Sequence, residues 1–275
     1  MSNQALLNNL ASDLRDAPDQ CVIYLEGKTD VDIFFALLGH VRPSGNIHQG
    51  VLIRGLEGGE GSGSTAVTAR VQLGPNLGGK VRVFGFTDGD GRSLQELATQ
   101  FDLPYAGPLF SWKAYAIENL LAKSGWPAGW GQPPDWQGEI RKYSPYVGLN
   151  RIHQKLSGIL DHLGIAQFTS PNSSHKLLRE SDVSRKLGQG KAQLVNRDVQ
   201  QDFRAEVQEF RNVLGQSLDA GHCLLNGKWL ISHLAANMTG KSPDTCRAEW
   251  IAHVAATGGL TEVKDWWMRV IGKAP

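Results

Sequence analysis

The stretch Cys21-Val22-Ile23-Tyr24-Leu25-Glu26-Gly27-Lys28-Thr29-Asp30 decides the fold. Its five leading apolar residues are the length of one buried strand, and Glu26-Gly27 closes the run with an acid and a residue that permits a tight exit. Asp30 to Leu38 then reads as a strongly apolar helix with Gly39 as its stop. Working outward, residues 4–15 form a helix whose apolar positions are Leu6, Leu7, Leu10 and Leu14. Ile47 to Ile53 reads as a second, weaker strand. A glycine-rich loop, Gly55 to Gly63, leads into a helix near Thr65–Leu73. Val81-Arg82-Val83-Phe84-Gly85-Phe86 is a third strand, followed by Asp88-Gly89-Asp90, and Leu109 to Trp112 a fourth, followed by a helix from about Ala114 to Ala122. Strands alternating with helices predict an α/β fold with a mainly parallel, Rossmann-like sheet flanked by helices.

The pattern changes after Lys123. Residues 124–136 hold Trp126, Trp130 and Trp136 among Pro127, Pro133 and Pro134, which reads as a loop. Beyond it the periodicity is helical: Ile152, Leu156, Ile159, Leu160 and Leu163 share one face, and so do Phe203, Val207, Phe210, Leu214 and Leu218. The expected organisation is a core at 1–123, a helical insertion or second domain at 124–215, and a helical segment at 216–275 that packs back on the core.

The composition, 41% hydrophobic and 20% charged over 275 residues, is that of an ordinary globular chain. No secretory leader and no membrane-spanning run is visible. Three scattered cysteines, Cys21, Cys223 and Cys246, offer no zinc spacing and predict a cytoplasmic protein. The net charge of +1 conceals an asymmetry. Residues 1–138 carry 10 basic and 14 acidic side chains, whereas residues 139–191 carry 9 and 4. The basic middle, including Arg151, Lys155, Arg179, Arg185 and Lys186, is the expected nucleic-acid-binding surface, a solvated helical face being the plainer alternative.

Glu26 and the pair Asp88 and Asp90 occupy corresponding places, each just past a strand. In open α/β sheets ligands bind outside the carboxyl ends of the strands, so these acids converge there. Mg2+ takes hard oxygen ligands, and two such ions activate water and stabilise the leaving oxygen in phosphodiester cleavage. Asp30, in the first turn of its helix, is also what the helix dipole favours without any ligand. Glu118, beside an apolar helix face, is a further candidate ligand. Gly58 to Thr65 nearly spells a phosphate-binding loop but lacks its lysine, which argues against an ATPase site. Lys228 opens an apolar helix and is a candidate for stabilising phosphate charge. The histidines show no paired metal spacing.

Two of these blocks resemble the motifs of the Toprim fold: Ile23-Tyr24-Leu25-Glu26-Gly27-Lys28-Thr29-Asp30 the strand ending in Glu-Gly, and Phe86-Thr87-Asp88-Gly89-Asp90 the Asp-x-Asp motif. With Ile117-Glu118-Asn119-Leu120 and Gly227-Lys228-Trp229-Leu230, the chain resembles the DUF4435 branch of the overcoming-lysogenization-defect (OLD-like) nucleases. That branch includes the nuclease effector of the PARIS phage-defence system. The resemblance implies Glu26, Asp88 and Asp90 as metal ligands and Asp30 and Glu118 as supporting or second-metal ligands. It implies Lys228 as a catalytic aid and Mg2+, with Mn2+ as the alternative, as a pair of ions. It also implies a toxic endoribonuclease acting on host tRNA and restrained by a separate ABC-type ATPase; release or rearrangement into an active homodimer is the expected mode of control. A DNA nickase or double-strand nuclease of OLD type is the second enzymatic reading, and a non-catalytic binding or assembly module the third.

Overall fold

The computed structural model describes residues 3–56, 63–89, 92–155, 179–189 and 198–275. They form two compact units, one made of Met1–Pro127 with Arg247–Pro275 and the other of Ala128–Cys246.

The first unit is built on a five-stranded sheet of order β2-β3-β1-β4-β5. Its elements follow the chain as α1 (Asn3–Asp16), β1 (Cys21–Leu25), α2 (Lys28–Leu37), β2 (Ile47–His48), β3 (Val51–Gly55), α3 (Ser64–Leu73), β4 (Arg82–Thr87), α4 (Leu94–Asp102), β5 (Leu109–Ser111) and α5 (Glu118–Lys123). β3, β1, β4 and β5 run parallel, and β2 alone is antiparallel to its neighbour β3. β1 lies between β3 and β4, so both of its edges are paired and all five of its residues are buried. That explains its unbroken apolar run, since a strand covered on both faces has no polar face to show.

The alternation of side chains along β1 and β4 sorts the core into two layers. Val22, Tyr24 and Val83 face α1 and α3, packing with Leu10, Leu14, Val67 and Val71. On the other face Phe86 stacks on Trp112 with centroids 4.0 Å apart and meets Trp266 edge-on at 4.6 Å. Phe34 of α2 joins this cluster. Trp266 and Trp267 sit on the C-terminal helix Thr261–Ile271, are fully buried, and belong to this core. Aromatic side chains of this kind each bury roughly 150–250 Å2, so this layer carries much of the unit's hydrophobic stabilisation.

The first layer also contains a polar knot. The Tyr24 hydroxyl donates to Asp13 Oδ2 at 2.6 Å, Arg54 lies 3.4 Å from Asp13 Oδ1, and the Arg70 guanidinium sits 5.6 Å over the Tyr24 ring. Burial, and then the Asp13 carboxylate, push the Tyr24 hydroxyl far above the usual phenol range, so it stays protonated and donating. Residues from α1, β1, β3 and α3 are thereby tied together one residue before β1 ends.

Three local readings of the sequence are corrected. Ile47 to Ile53 is a hairpin, not one strand: Gln49 and Gly50 have φ of 50° and 82°, the left-handed pair that a two-residue hairpin turn requires. The helix expected from Ala114 begins at Glu118. Leu218 does not continue the apolar face of its helix, which ends at Gln216. Ser217 is extended and its hydroxyl caps a new helix, Leu218–Leu224, leaving Leu218 38% exposed. A further helix, α4, goes unread in the sequence although Leu94, Leu97 and Phe101 fall at helical spacing and Ser93-Leu94-Gln95-Glu96 is a capping box.

The second unit is helical among its described residues. Helix Val199–Gln216 buries Phe203, Val207, Phe210 and Leu214 along one stripe. It packs on Ser144–Lys155, where Gly148 admits it closely: a Cβ there would stand 2.6 Å from a Val207 methyl. Leu156, Ile159, Leu160 and Leu163 lie outside the described residues. No described helix is long and apolar enough to cross a membrane.

Candidate functional site

Adjacent parallel strands β1 and β4 end side by side, and their first residues beyond the sheet are acids. Glu26 follows Leu25 directly, and its Oε1 accepts the backbone N–H of Asp88, 62 residues away, at 2.9 Å. Both residues are half-buried. The sheet thus brings together the acids that began the two motifs, at the carboxyl ends of the strands.

The exit of β1 is shaped by close backbone packing. A Cβ on Gly55, the last residue of β3, would lie 2.3 Å from the Gly27 carbonyl oxygen, so only glycine lets β3 end against this turn. Leu56 then donates to the Leu25 carbonyl at 3.1 Å. The glycine-rich loop leaves the described structure there and returns at Gly63, where a Cβ would stand 3.8 Å from Glu26 Oε2. Gly63, within the segment that resembles a phosphate-binding loop, therefore lies near Glu26. Most of it, from residue 57 to 62, lies outside the described residues.

Asp30 is used differently. Its Oδ2 accepts the Gly27 N–H at 2.9 Å, at the third position of α2, and it is buried. A carboxylate reaching back to the cap residue satisfies one of the N–H groups that a helix start leaves open.

The exit of β4 is held from several sides. Gly89 donates to the Tyr115 carbonyl at 2.8 Å, and a Cβ on it would fall 2.2 Å from the Ala114 oxygen and 2.3 Å from Leu97 Cδ2. Arg92 N–H donates to the Gly89 carbonyl at 3.0 Å, and α4 starts with the reciprocal Ser93–Glu96 cap. Those bonds to Ser93 pull the Glu96 carboxyl below its ordinary range. Asp90 lies outside the described residues. Glu118 is the first residue of α5, is buried, and follows Tyr115 by three positions, which sets α5 beside the Gly89 turn.

Glu26 and Asp88 supply hard carboxylate oxygens on adjacent strand ends, and that donor chemistry fits Mg2+ or Mn2+. Among the described residues no three His, Cys, Asp or Glu side chains gather closely enough to hold a metal ion. The expected third ligand, Asp90, is not among those residues.

The remaining candidates belong to the second unit. Lys228 lies in a short helix, Gly227–Trp229, where its backbone N–H is capped by Asn226 Oδ1 at 3.0 Å. Arg151 lies 3.1 Å from Glu206 and 3.4 Å from Glu209. Arg185 is paired with Asp182 at 3.0 Å on the exposed side of helix Glu180–Gln189. Arg179 and Lys186 are exposed, and Lys155 ends its helix. A guanidinium already held by carboxylates must exchange partners to take a phosphate, which lowers what it adds to binding. Much of the basic middle, from residue 156 to 178 and 190 to 197, lies outside the described residues.

The arrangement missed by reading the sequence is the cluster of Arg92, Tyr105 and Thr87. The Arg92 guanidinium donates to the Asp88 carbonyl and lies 5.0 Å over the Tyr105 ring, and the Tyr105 hydroxyl is 3.1 Å from Thr87 Oγ1. An arginine two residues past Asp88-Gly89-Asp90 was the available signal; its aromatic platform, 13 residues further on, was not. Comparison with family models, with curated proteins and with solved structures finds no match to this chain.

Proposed function

We propose that this chain is a metal-dependent phosphodiesterase of Toprim type, an endonuclease whose centre is the acidic edge at Glu26 and Asp88. The observation that carries the reading is the junction of two acids 62 residues apart on neighbouring strand ends, with Asp88 N–H on Glu26 Oε1 at 2.9 Å. Glu26, Asp88 and Asp90 would hold the ion or pair of ions, with Asp30 and Glu118 in support. Bound there, Mg2+ would lower the pKa of a water and stabilise the charge that develops on the leaving oxygen. The carboxylates would orient that ion, and the half-buried setting would strengthen their attraction for it by limiting water. Asp30, as the cap of α2, keeps the turn after β1 in the shape that presents Glu26.

RNA is the favoured substrate and tRNA the favoured RNA, with Lys228 aiding charge stabilisation and the basic middle holding the backbone. A toxic activity of this kind calls for restraint, and a separate ABC-type ATPase and an active homodimer complete the proposal. These parts rest on the resemblance of the motifs. DNA nicking is the alternative within the same chemistry.

One observation favours a second reading. A glutamate that accepts a backbone N–H from the next strand's exit also makes sense as a joint in a non-catalytic module. Cleavage decides between them. Purified protein is incubated with end-labelled tRNA, other RNA and duplex DNA, in Mg2+ and in chelator. The proposal expects metal-dependent internal cleavage that Glu26→Ala abolishes. Equal cleavage by wild type and Glu26→Ala would remove the site assignment, and no cleavage of any substrate would favour the joint.

A further inference from the structure

The Arg92 side chain presents a physical puzzle. It places a full positive charge on the carbonyl of Asp88, beside carboxylates proposed to attract a cation. By charge alone this weakens the site. Yet the guanidinium is built in: it donates to the Asp88 carbonyl oxygen and lies 5.0 Å over the Tyr105 ring. Tyr105 is itself anchored, with its hydroxyl 3.1 Å from Thr87 Oγ1 and its backbone N–H on the Leu109 carbonyl at 2.9 Å. Thr87 is the last residue of β4 and is fully buried. The chain of contacts therefore runs from the end of β4, through the segment between α4 and β5, and back to the peptide that carries Asp88.

We propose that Arg92 is a positioning residue, and that with Tyr105 it forms a clasp fixing the peptide of Asp88 so that its carboxylate is presented for metal binding. This rests on the reading of the acidic edge as a metal site. The clasp complements the bonds already described. Glu26 Oε1 takes the N–H of Asp88, Tyr115 takes the N–H of Gly89, and Arg92 takes the intervening carbonyl oxygen. Both peptide groups flanking the Asp88 Cα are thereby held, which fixes the backbone from which its carboxylate projects. Arginine suits the task better than lysine because its flat guanidinium both stacks on a ring and donates in its plane. Groups that orient a ligand without touching the metal commonly matter to affinity.

The sign of the effect separates this role from simple electrostatics. The test titrates Mn2+ alone into the full chain by calorimetry, with the melting of the metal-free protein as a folding control. Wild type is expected to bind, and Glu26→Gln to bind much more weakly. Arg92→Ala should weaken Mn2+ binding by about 10- to 100-fold although it removes a repelling charge. Arg92→Lys, which keeps the charge and a donor but not the stack, should fall between. Tyr105→Ala should weaken binding in the same direction, and Tyr105→Phe, which keeps the ring under the guanidinium, should bind as wild type does. If Arg92→Ala binds Mn2+ as tightly as wild type or more tightly, the clasp is overturned while the metal site stands. If wild type binds no Mn2+, or Glu26→Gln binds equally well, the metal-site reading fails and the clasp with it. Should Arg92→Ala not fold, Arg92→Lys and the Tyr105 pair decide in its place: undiminished Mn2+ binding in both Arg92→Lys and Tyr105→Ala overturns the clasp.

Discussion

The two strand exits at the acidic edge look alike in sequence and are built differently. After β1, Asp30 turns back on its own helix and caps Gly27, while Glu26 reaches across to the neighbouring exit. After β4, Glu26 and Tyr115, from elsewhere in the chain, take backbone N–H groups, and Arg92, four residues further along the same exit, takes a carbonyl. The acid after β1 that caps its own helix bonds within its turn, whereas the backbone N–H groups after β4 are taken by residues distant in sequence. The lesson is that an acid near a strand end is not one kind of residue. An acid that satisfies the backbone of its own turn contributes to folding, and an acid that meets a partner distant in sequence is available for function.

The sharpest way to break this comparison is to exchange the losses. Glu26→Ala should lower metal-dependent cleavage by at least about 10²-fold, the upper range seen even for outer groups around a metal. It should cost only about 1 kcal/mol of stability, the worth of one hydrogen bond. Asp88→Asn and Asp90→Asn should follow it in activity, because a neutral amide is a poor ligand for a hard cation. Cleavage rates and denaturant melts on the same preparations check both halves.

The next largest effect is expected from the exit after β4. Gly89→Ala puts a methyl 2.2 Å from the Ala114 oxygen and 2.3 Å from Leu97 Cδ2. The backbone on one side cannot yield, so about 1–3 kcal/mol of stability should be lost, read as a shifted guanidinium midpoint. An unchanged midpoint would mean that this turn is not fixed as described.

Asp30→Asn should cost less, about 1 kcal/mol of stability, and leave cleavage within about tenfold of wild type. If Asp30→Asn instead abolished activity at full stability, Asp30 would be a ligand and the contrast between the exits would collapse.

The smallest effect lies away from both exits and serves as a control on pH. His48 packs between His40, at 4.6 Å, and Trp267, at 5.0 Å, with Phe35 edge-on. Burial, and then the neighbouring His40, hold its pKa below the ordinary 6.5. The folded chain therefore prefers neutral His48, and the unfolded chain takes up its proton first as acid is added. The stability involved is present above 6.5 and is lost as pH falls through that value toward the folded pKa. His48→Gln should flatten this part of the stability profile, followed by denaturant midpoints from about pH 8 to pH 5.

How much of this was legible in the sequence follows the same division. The strand Cys21–Leu25 was readable because burial on both faces leaves an unbroken apolar run, and Arg82–Thr87 because Val83, Phe84 and Phe86 form an apolar centre. The positions of Glu26 and Asp88 were readable because parallel strands end at one edge. The hairpin at Gln49-Gly50 was not, since glutamine is an uncommon choice where φ is positive. The contact of Arg92 with Tyr105 and the pairing of Arg151 with Glu206 depend on partners brought together only by folding. Charge counts alone presented Arg151 as a phosphate ligand, whereas its ion pair lies 55 residues along the chain. Cys21 is silent for a similar reason: burial first, against smaller opposing charges, pushes its thiol up to about 11, so it is a core residue rather than a nucleophile.

The central claim is that Glu26 serves a bound cation and Asp30 serves the fold. The most direct test is Mg2+-dependent cleavage of end-labelled tRNA by Glu26→Gln and Asp30→Asn side by side, each with its melting curve. The account predicts that Glu26→Gln is inactive and folded, and that Asp30→Asn is active and less stable. Full activity in Glu26→Gln would contradict it.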